Sequence, residues 1–150
     1  MRLVIQRVKK ASVCIKAAET RSIEKGLMVL VGVEGTDTPE DAIWLAQKTA
    51  QMRIFSDADG KMNLSVLDID GEILAISQFT LFAQTAKGNR PSFIRSARPE
   101  IAIPLYEKFI QSLRDDWKIP VKTGEFGADM DVELVNHGPV TIKIDSKNRE

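Results

Sequence analysis

The sequence has few of the residues on which metal sites and disulfide scaffolds depend. It contains one cysteine, Cys14, and one histidine, His137, among 150 residues. A lone cysteine cannot close a disulfide within the chain, and one cysteine with one histidine is too few for a zinc site. We therefore expect neither a disulfide scaffold nor a structural metal, and we expect no metal or cofactor in the functional site.

An excess of charge of one sign and long apolar runs are also missing. The 21 basic and 21 acidic side chains cancel, which argues against a protein that coats long stretches of nucleic acid through a basic face. Charge returns early in the opening MRLVIQRVKK, so no signal peptide is indicated, and no run approaches the roughly 20 apolar residues that cross a bilayer. We expect a cytoplasmic protein without membrane contact. The zero net charge does not exclude binding to one end of an RNA.

Common catalytic signatures are absent as well. No GxGxxG follows a strand pattern and no GxxxxGK[ST] occurs, so a phosphate-binding loop is not indicated. A Ser/His/Asp or Cys/His triad would depend on His137, but the surrounding NHGP is typical of an exposed turn between strands. Cys14 lies inside a strand pattern, which favours a small structural residue over a nucleophile.

The strand patterns predict one domain over residues 1–150. A chain of this length can bury a hydrophobic core large enough for stability, and no linker or repeat divides the chain. Residues 2–8 and 11–16 predict two short strands or one bent strand. The run LMVLVGV, residues 27–33, is flanked by glycine and predicts a strand buried on both faces. Further strands are predicted at residues 121–125, 130–135 and 140–144.

Two helices are predicted. The first has Thr38 as N-cap and Pro39 at its first position, and it extends to Arg53. The second extends from Pro99 to Trp117, although Pro104 conflicts with a straight start because it removes a backbone donor. The residues expected to face the core are Ala42, Leu45, Ala46, Thr49 and Ala50 in the first helix and Leu105, Phe109, Ile110 and Leu113 in the second.

A hairpin is predicted around Asp70-Gly71, which separates the apolar segments 66–69 and 73–76. Its second strand would continue into SQFTLFA, residues 77–83, with alternating side chains on opposite faces. DADG, residues 57–60, predicts a turn. Strands in hairpins with two inserted helices indicate an α+β fold with a curled, mostly antiparallel sheet or open barrel.

Two segments stand out from this ordinary pattern. In SQFTLFA an apolar strand gives way to polar residues and then resumes, although a strand that tolerates Ser and Thr near its end explains this equally well. In NHGPVT, residues 136–141, glycine precedes proline, and an X-Pro bond is where a cis peptide costs least. Considered alone, this second segment is only a turn.

Together these segments resemble the D-aminoacyl-tRNA deacylases of the D-tyrosyl-tRNA deacylase type, which hydrolyse the ester between a D-amino acid and the 3′ end of tRNA. The resemblance covers essentially the full length, through MRLVIQRVKKASV, LMVLVGV, SQFTLFA, KGNRPSF, TGEFGADM and NHGPVT. It implies a hydrolase of translation quality control that forms a homodimer and acts on the 3′-terminal adenosine and acceptor end of aminoacylated tRNA.

The resemblance also implies how the amino acid's chirality is read. Gly138-Pro139 matches the family's Gly-cisPro motif, which should enter the partner subunit's pocket beside the substrate's α-carbon. There it would exclude an L side chain while admitting a D side chain or glycine, so glycyl-tRNA is an expected substrate. Arg7 matches the residue that holds this motif, whereas without the resemblance it would be interpreted as a surface arginine on an edge strand.

The implied chemistry centres on residues 77–80. Backbone N–H groups of Gln78 and Phe79 match the family's oxyanion donors, and Ser77 belongs to the substrate-binding set. Thr80 has no adjacent His or Lys to make it a nucleophile, so we expect it to orient backbone or water while the terminal ribose 2′-hydroxyl assists the attacking water. Phe126 and Met130 would enclose the adenine, with core packing as the rival interpretation of both.

Four basic residues lie around the polar loop between residues 84 and 93. Lys87, Arg90, Arg95 and Arg98 are candidates to contact acceptor-stem phosphates.

Two alternative functions are also compatible with the sequence. One is a small-ester or peptide hydrolase that uses Ser77 or Thr80 as covalent nucleophile, which acyl-enzyme trapping would reveal. The other is a module that binds the aminoacylated end of tRNA without turnover.

Overall fold

The computed structural model describes residues 1–150 as a six-stranded mixed sheet, a two-stranded ribbon, two α-helices and one 3-10 helix. The α+β class predicted from the sequence is confirmed. In chain order the elements are β1 (Arg2–Ile15), β2 (Glu19–Ile23), β3 (Gly26–Gly32), α1 (Pro39–Gln51), β4 (Phe55–Ser56), β5 (Met62–Leu64), β6 (Glu72–Ser77), the 3-10 helix (Phe79–Phe82), α2 (Pro99–Asp115), β7 (Val121–Thr123) and β8 (Met130–Asp145).

The long strand β1 organises the antiparallel part of the sheet. Its first half pairs with β3, its second half pairs with β2, and β8 pairs with it along both halves. The parallel part surrounds β6, which pairs with β3 on one side and β7 on the other. The alternative of a single bent strand at the amino terminus is therefore correct, with register shifts against β8 between Gln6 and Ala11.

The carboxyl-terminal strand differs from the prediction. Residues 130–135 and 140–144 belong to one strand, β8, and NHGP lies within it instead of forming a turn between two strands. The pairs Gln6–Thr141 and Val8–Asn136 leave one residue of β1, Arg7, opposite residues 137–140 of β8. This local excess is a bulge, and it pushes Gly138 and Pro139 out of the ladder towards solvent.

The predicted hairpin around Asp70-Gly71 is wrong, although the turn itself is present. The N–H of Gly71 donates to the Val66 carbonyl at 2.9 Å, but residues 66–70 form turns and no strand. Because α1 and the β4–β5 ribbon lie between β3 and β6, the chain returns to the sheet in the direction in which β3 runs, and the pairing is parallel. SQFTLFA is likewise not a strand beyond Ser77, since residues 79–82 form the 3-10 helix.

Both helices pack on one face of the sheet and form the main core with it. Every residue predicted to face the core from α1 and α2 is buried, and β3 is buried on both faces as predicted. The helices end two residues earlier than predicted, at Gln51 and Asp115. Pro104 is accommodated within α2 because it lies near the helix start on the exposed side.

A second, smaller apolar cluster lies on the other face of the sheet. It includes Val8, Val13, Met28 and Leu74. No helix belongs to this cluster, and several apolar side chains packed against it are only partly buried. These side chains are Leu30, Ala128, Met130, Val132 and Leu134.

Candidate active site

A cavity of about 610 Å³ opens where β6 ends, between the loop that precedes α2 and the segment that leads into β8. The loop contributes residues 96–99 and the segment contributes residues 126–130. Five of the nine predicted site residues line this cavity, although they come from two distant parts of the chain: Ser77, Gln78, Phe79, Phe126 and Met130. Thr80 is adjacent in sequence but does not line it, and neither do Arg7, Gly138 and Pro139.

Backbone hydrogen bonds hold the segment after β6 against its neighbours. The N–H of Gln78 donates to the Val31 carbonyl at 2.8 Å, and the Ser96 hydroxyl donates to the Phe79 carbonyl at 2.8 Å. The first bond extends the ladder with β3 by one residue. It also occupies the Gln78 N–H, so this group is not available in this structure as the oxyanion donor that the resemblance implied.

The 3-10 helix leaves other donors at the same place. Leu81 is the first residue whose N–H closes the turn, by donating to the Gln78 carbonyl at 3.4 Å. The N–H groups of Phe79 and Thr80 therefore have no acceptor inside the turn, as is general for the first residues of a helix. The N–H groups of Phe79 and Thr80 are thus left without an acceptor in the turn, and of these two residues only Phe79 lines the cavity.

The Thr80 hydroxyl has an amide as its partner and no base. Gln78 Nε2 donates to Thr80 Oγ1 at 2.5 Å. A side-chain amide cannot accept a proton from a hydroxyl at neutral pH, so this contact orients Thr80 without activating it. The arrangement agrees with the expectation that Thr80 positions other groups.

The cavity lining also contains an aromatic pair, Tyr106 and Phe126, of which the sequence indicated only Phe126. The rings of Tyr106 and Phe126 lie 6.2 Å apart, and the buried Tyr106 hydroxyl donates to the Ala75 carbonyl at 2.8 Å. Burial raises the pKa of Tyr106 far above its ordinary value, which keeps it neutral and able to donate. Tyr106 was missed because its position on α2 is also that of a core residue.

Met130 reaches the cavity because a glycine makes room for it. A Cβ at Gly124 would collide with the Met130 sulfur, so the absence of a side chain there admits the methionine. Phe126 and Met130 are both half-buried, and each also packs against one of the two apolar clusters. Phe126 and Met130 therefore contribute to core packing, the rival interpretation, and both also line the cavity.

The cavity mouth carries exposed apolar and basic side chains. Phe79 is 56% exposed and meets Phe93 edge to face, with 5.1 Å between ring centroids. Gln84 and Ser92 exchange two backbone hydrogen bonds and close the polar loop 85–91, on which Lys87 and Arg90 are exposed. Of the other two predicted basic contacts, Arg98 is exposed at the start of α2, whereas Arg95 forms an ion pair with Glu34 at 2.9 Å.

The bulge in β8 is held by the buried residue opposite it. Arg7 is 6% exposed, and it donates from Nε to the His137 carbonyl at 2.8 Å and from Nη1 to the Ile54 carbonyl at 2.6 Å. The expected contact between Arg7 and this motif is thus present, and the interpretation of Arg7 as a surface residue is wrong. The Gly138–Pro139 peptide is cis, and Gly138 has φ +138°.

His137 and Cys14 lie away from the cavity. His137 is exposed, and slight desolvation together with nearby cations, Arg7 first among them, lowers its pKa. Cys14 is half-buried within β1. No group of three or more His, Cys, Asp or Glu side chains is placed to hold a metal ion, and no helix has the length and apolar character needed to span a membrane.

The bulge and the cavity lie at different points along β8. Val132, the last cavity residue on this strand, precedes Gly138 by six residues. At about 3.3 Å per residue these positions are on the order of 20 Å apart along the strand. Gly138 and Pro139 therefore do not line the cavity of their own chain.

Comparison with known proteins connects these features to one family. Residues 4–145 match the family model of D-Tyr-tRNA(Tyr) deacylase. Over 150 residues, all of both chains, the sequence is 61% identical to the D-aminoacyl-tRNA deacylase of Akkermansia muciniphila and 56% identical to that of Flavobacterium johnsoniae.

Solved structures agree with these matches. The c-Myc DNA unwinding element binding protein superposes with a TM-score of 0.89 at 39% identity, over 97% of this chain and 98% of that one. A probable eukaryotic D-amino acid tRNA deacylase superposes with a TM-score of 0.78 over 95% of this chain and 98% of the other. At 16% identity, this second similarity concerns the fold alone.

Proposed function

This chain belongs to the D-aminoacyl-tRNA deacylase family, hydrolases of translation proofreading, and from that premise we propose where and how its residues act. The ester of D-aminoacyl-tRNA is hydrolysed in the cavity beside residues 77–80. The observation that carries this placement is the convergence of SQF, residues 77–79, with Phe126 and Met130 around one cavity of about 610 Å³. The enzyme acts where aminoacylated tRNA is used, in the cytoplasm.

The terminal adenosine enters first. Its base lies against Phe126 and Met130, since an aromatic ring and a soft thioether both pack well on the face of adenine. The ester then lies beside the end of β6, with Ser77 at the wall and the N–H group of Phe79 towards the carbonyl oxygen. These groups lie on backbone that is already held by hydrogen bonds to Val31 and Ser96, so little reorganisation is needed.

Hydrolysis then requires no covalent intermediate. Water adds to the ester carbonyl carbon, the bond to the ribose 3′-oxygen breaks, and the leaving oxygen takes up a proton. The neighbouring 2′-hydroxyl positions the water and relays the proton that the water loses to the leaving 3′-oxygen. The Phe79 N–H group stabilises the tetrahedral oxyanion, and one such donor contributes about 3 kcal/mol in other hydrolases.

Chirality is selected by exclusion. Gly138 and Pro139 of the partner subunit project into this cavity beside the substrate's α-carbon, where their backbone collides with an L side chain. A D side chain points away from them, and glycine meets no obstacle, so glycyl-tRNA is also hydrolysed. The enzyme therefore accepts many D-amino acids without contacting their side chains.

Two observations support the homodimer that this mechanism needs. Gly138 and Pro139 are exposed and lie on the order of 20 Å along β8 from the cavity of their own chain, which favours a place for them in the cavity of another copy. The sheet face without helices leaves Leu30, Val132 and Leu134 only partly covered. Adjoining apolar residues that are left exposed are typical of a protein interface.

The basic residues near the cavity contact the acceptor end. Lys87, Arg90 and Arg98 are exposed and make no ion pair within the chain, so they are free to meet phosphates. Three cations form a small electrostatic footprint. This agrees with a protein of zero net charge that binds only the end of a tRNA.

Release of the amino acid from D-tyrosyl-, L-tyrosyl- and glycyl-tRNA tests the proposal. We expect rapid release of D-tyrosine and glycine, and little release of L-tyrosine. Comparable rates on the two enantiomers would overturn exclusion by Gly138 and Pro139. An acyl group trapped on Ser77 or Thr80 would instead support the covalent hydrolase, and binding without any release would support the non-catalytic module.

The role of the substrate's 2′-hydroxyl has its own test. With D-tyrosyl-tRNA that ends in 2′-deoxyadenosine, hydrolysis should slow far more than binding weakens, because the hydroxyl acts on the transition state. An equal loss in both quantities would reduce the 2′-hydroxyl to a binding contact.

A further inference from the structure

We propose that Phe79, Phe93 and Ile94 form a stacking platform for the base of the nucleotide that precedes the terminal adenosine. This inference rests on the proposed function, because it assumes that an aminoacylated RNA end occupies the cavity. These three side chains have no role in hydrolysis of the ester itself.

The first observation is the exposure of these side chains. Ile94 is 85% exposed, the most of any large apolar residue in the chain, and Phe79 is 56% exposed. Phe93 connects them, because it precedes Ile94 and its ring contacts that of Phe79 at 5.1 Å. Single exposed apolar residues are common on proteins, but here two of them, Phe79 and Ile94, are linked by the half-buried Phe93, which contacts the first and is bonded to the second.

The second observation is continuity with the cavity. Phe79 and Phe93 line the cavity and pair with each other, whereas the adenine is assigned to Phe126 and Met130, and Phe126 pairs instead with Tyr106. An RNA chain that leaves the adenosine along the Phe79–Phe93 pair passes over Phe93 and Ile94. The last nucleotides of a tRNA are unpaired, so their bases are free to stack.

The third observation is charge. The platform lies next to the loop 85–91, which presents Lys87 and Arg90 to solvent. A surface that offers apolar rings to bases and cations to the neighbouring phosphates is the general form of a single-strand nucleic acid site. A second protein chain would gain little from unpaired cations at the edge of such a patch.

The platform contacts the face of a base and not its edges. It therefore contributes to binding of the RNA end without reading its sequence, and it does not touch the reacting ester. A substrate that ends with the adenosine, such as D-tyrosyl-adenosine, gains nothing from it. Stacking is also screened by salt less than phosphate contacts are.

The experiment measures kcat and KM of Ile94→Ala with D-tyrosyl-tRNA and with D-tyrosyl-adenosine. We expect the KM for the tRNA substrate to rise about fivefold, as for partial loss of one stacked base, with kcat unchanged and with no change for D-tyrosyl-adenosine. Ile43→Ala, at an exposed position of α1, is the matched control and should match the wild type on both substrates. An unchanged KM for the tRNA, or equal losses on both substrates, would overturn the platform.

Substitutions at Phe93 test the aromatic part, with unfolding temperature as the check on folding. Phe93→Leu should raise the KM for D-tyrosyl-tRNA, and Phe93→Tyr should restore it, because only the second retains a ring. In 0.5 M salt, roughly, the relative effect of Ile94→Ala should persist while that of Arg90→Ala shrinks. Equal activity of the leucine and tyrosine variants at wild-type KM would contradict a stacking role.

Two further outcomes distinguish failure of the proposed function from failure of the platform alone. If the wild type releases no amino acid from either substrate, the proposed function fails, and the platform fails with it. If the wild type is active but Ile94→Ala shifts the sedimentation coefficient towards that of a monomer, the patch is a contact between subunits, and only the platform is overturned.

Discussion

At the scale of single residues, the lack of a side chain at Gly138 is required by its surroundings. Its φ of +138° is strained for any L side chain, and a Cβ would lie 2.8 Å from Val140 Cγ2 and 2.9 Å from an Arg7 nitrogen. Gly138→Ala should therefore displace the bulge that the partner's cavity receives. We expect release of D-tyrosine to fall at least about tenfold, because the added methyl group and the displaced backbone take up space beside the substrate's α-carbon, where misplacement by about 1 Å costs up to about a hundredfold.

The same variant should fold, since residue 138 is exposed in the single chain. It should also dimerise, since the partly covered apolar sheet face around Leu30, Val132 and Leu134 is unchanged. Thermal unfolding should show a loss of about 1 to 2 kcal/mol, the cost of a left-handed backbone with a side chain. Rate and unfolding are measured on one preparation. A variant that is slightly less stable but fully active would falsify the role proposed for the bulge.

A second residue-scale prediction concerns Thr80→Ala. Its hydroxyl accepts from Gln78 Nε2 and has no base beside it, while its backbone N–H survives the substitution. We expect kcat/KM with D-tyrosyl-tRNA to stay above about a third of the wild-type value. Complete loss in a folded dimer, restored by Thr80→Ser, would favour a covalent nucleophile.

At the scale of elements, the start of α1 depends on a carboxylate that joins it to the end of the chain. Asp41 accepts from the Thr38 N–H at 2.9 Å and from Lys147 Nζ at 2.7 Å. Burial alone would raise the pKa of Asp41, but these hydrogen bonds outweigh it and lower the pKa from 3.8 to about 2. A lowered pKa means that the ionised carboxylate stabilises the fold above about pH 4, and that this contribution disappears as the pH falls towards 2.

Asp41→Asn should therefore lower the free energy of unfolding at pH 7 by about 2 kcal/mol, and the difference from the wild type should shrink between pH 4 and pH 2. Urea unfolding at several pH values measures it. Asp59→Asn, at an exposed turn residue without an ion pair, is the control. If the difference in free energy of unfolding is constant over this pH range, the charge of the Asp41 carboxylate does not stabilise the fold.

Some features of the elements can be predicted from the few residues around them, and others cannot. Thr38 and Pro39 mark the start of α1 because their preferences act within one helical turn, and the structure has the helix where they predict it. Asp70-Gly71 does form a turn, but a turn signal does not determine which strand the next segment pairs with. That pairing is parallel to β3 because α1 covers the sheet between them, which no signal near residue 70 contains.

At the scale of the whole molecule, each active site should combine two subunits. In a mixed dimer, one subunit carries Gly138→Ala and the other carries Ala128→Trp, which fills the cavity that Ala128 lines. One site then combines an intact cavity with an intact bulge, and the other site has neither. We expect such dimers to recover about half of the wild-type activity, whereas the Gly138→Ala homodimer keeps at most about a tenth of it and the Ala128→Trp homodimer is inactive.

Co-expression with two different affinity tags isolates the mixed dimer, and D-tyrosine release from D-tyrosyl-tRNA is the readout. Unfolding temperatures of both homodimeric variants control for folding. No recovery in the mixed dimer would place cavity and bulge in the same chain's site, and an active monomer in sedimentation would remove the composite site altogether.

The sequence by itself determined the α+β class, both helices with their buried faces, the fully buried strand β3, and the family, since each of these depends on local preferences, periodicity or contiguous motifs. Only the tertiary structure decided that β6 pairs in parallel, that SQFT ends a strand and opens a 3-10 helix, and that NHGP is a bulge opposite Arg7. It also decided that the Gln78 N–H is occupied by Val31. These features depend on which distant segments meet, and a hydrogen bond between residues 47 positions apart leaves no mark on the sequence around either of them.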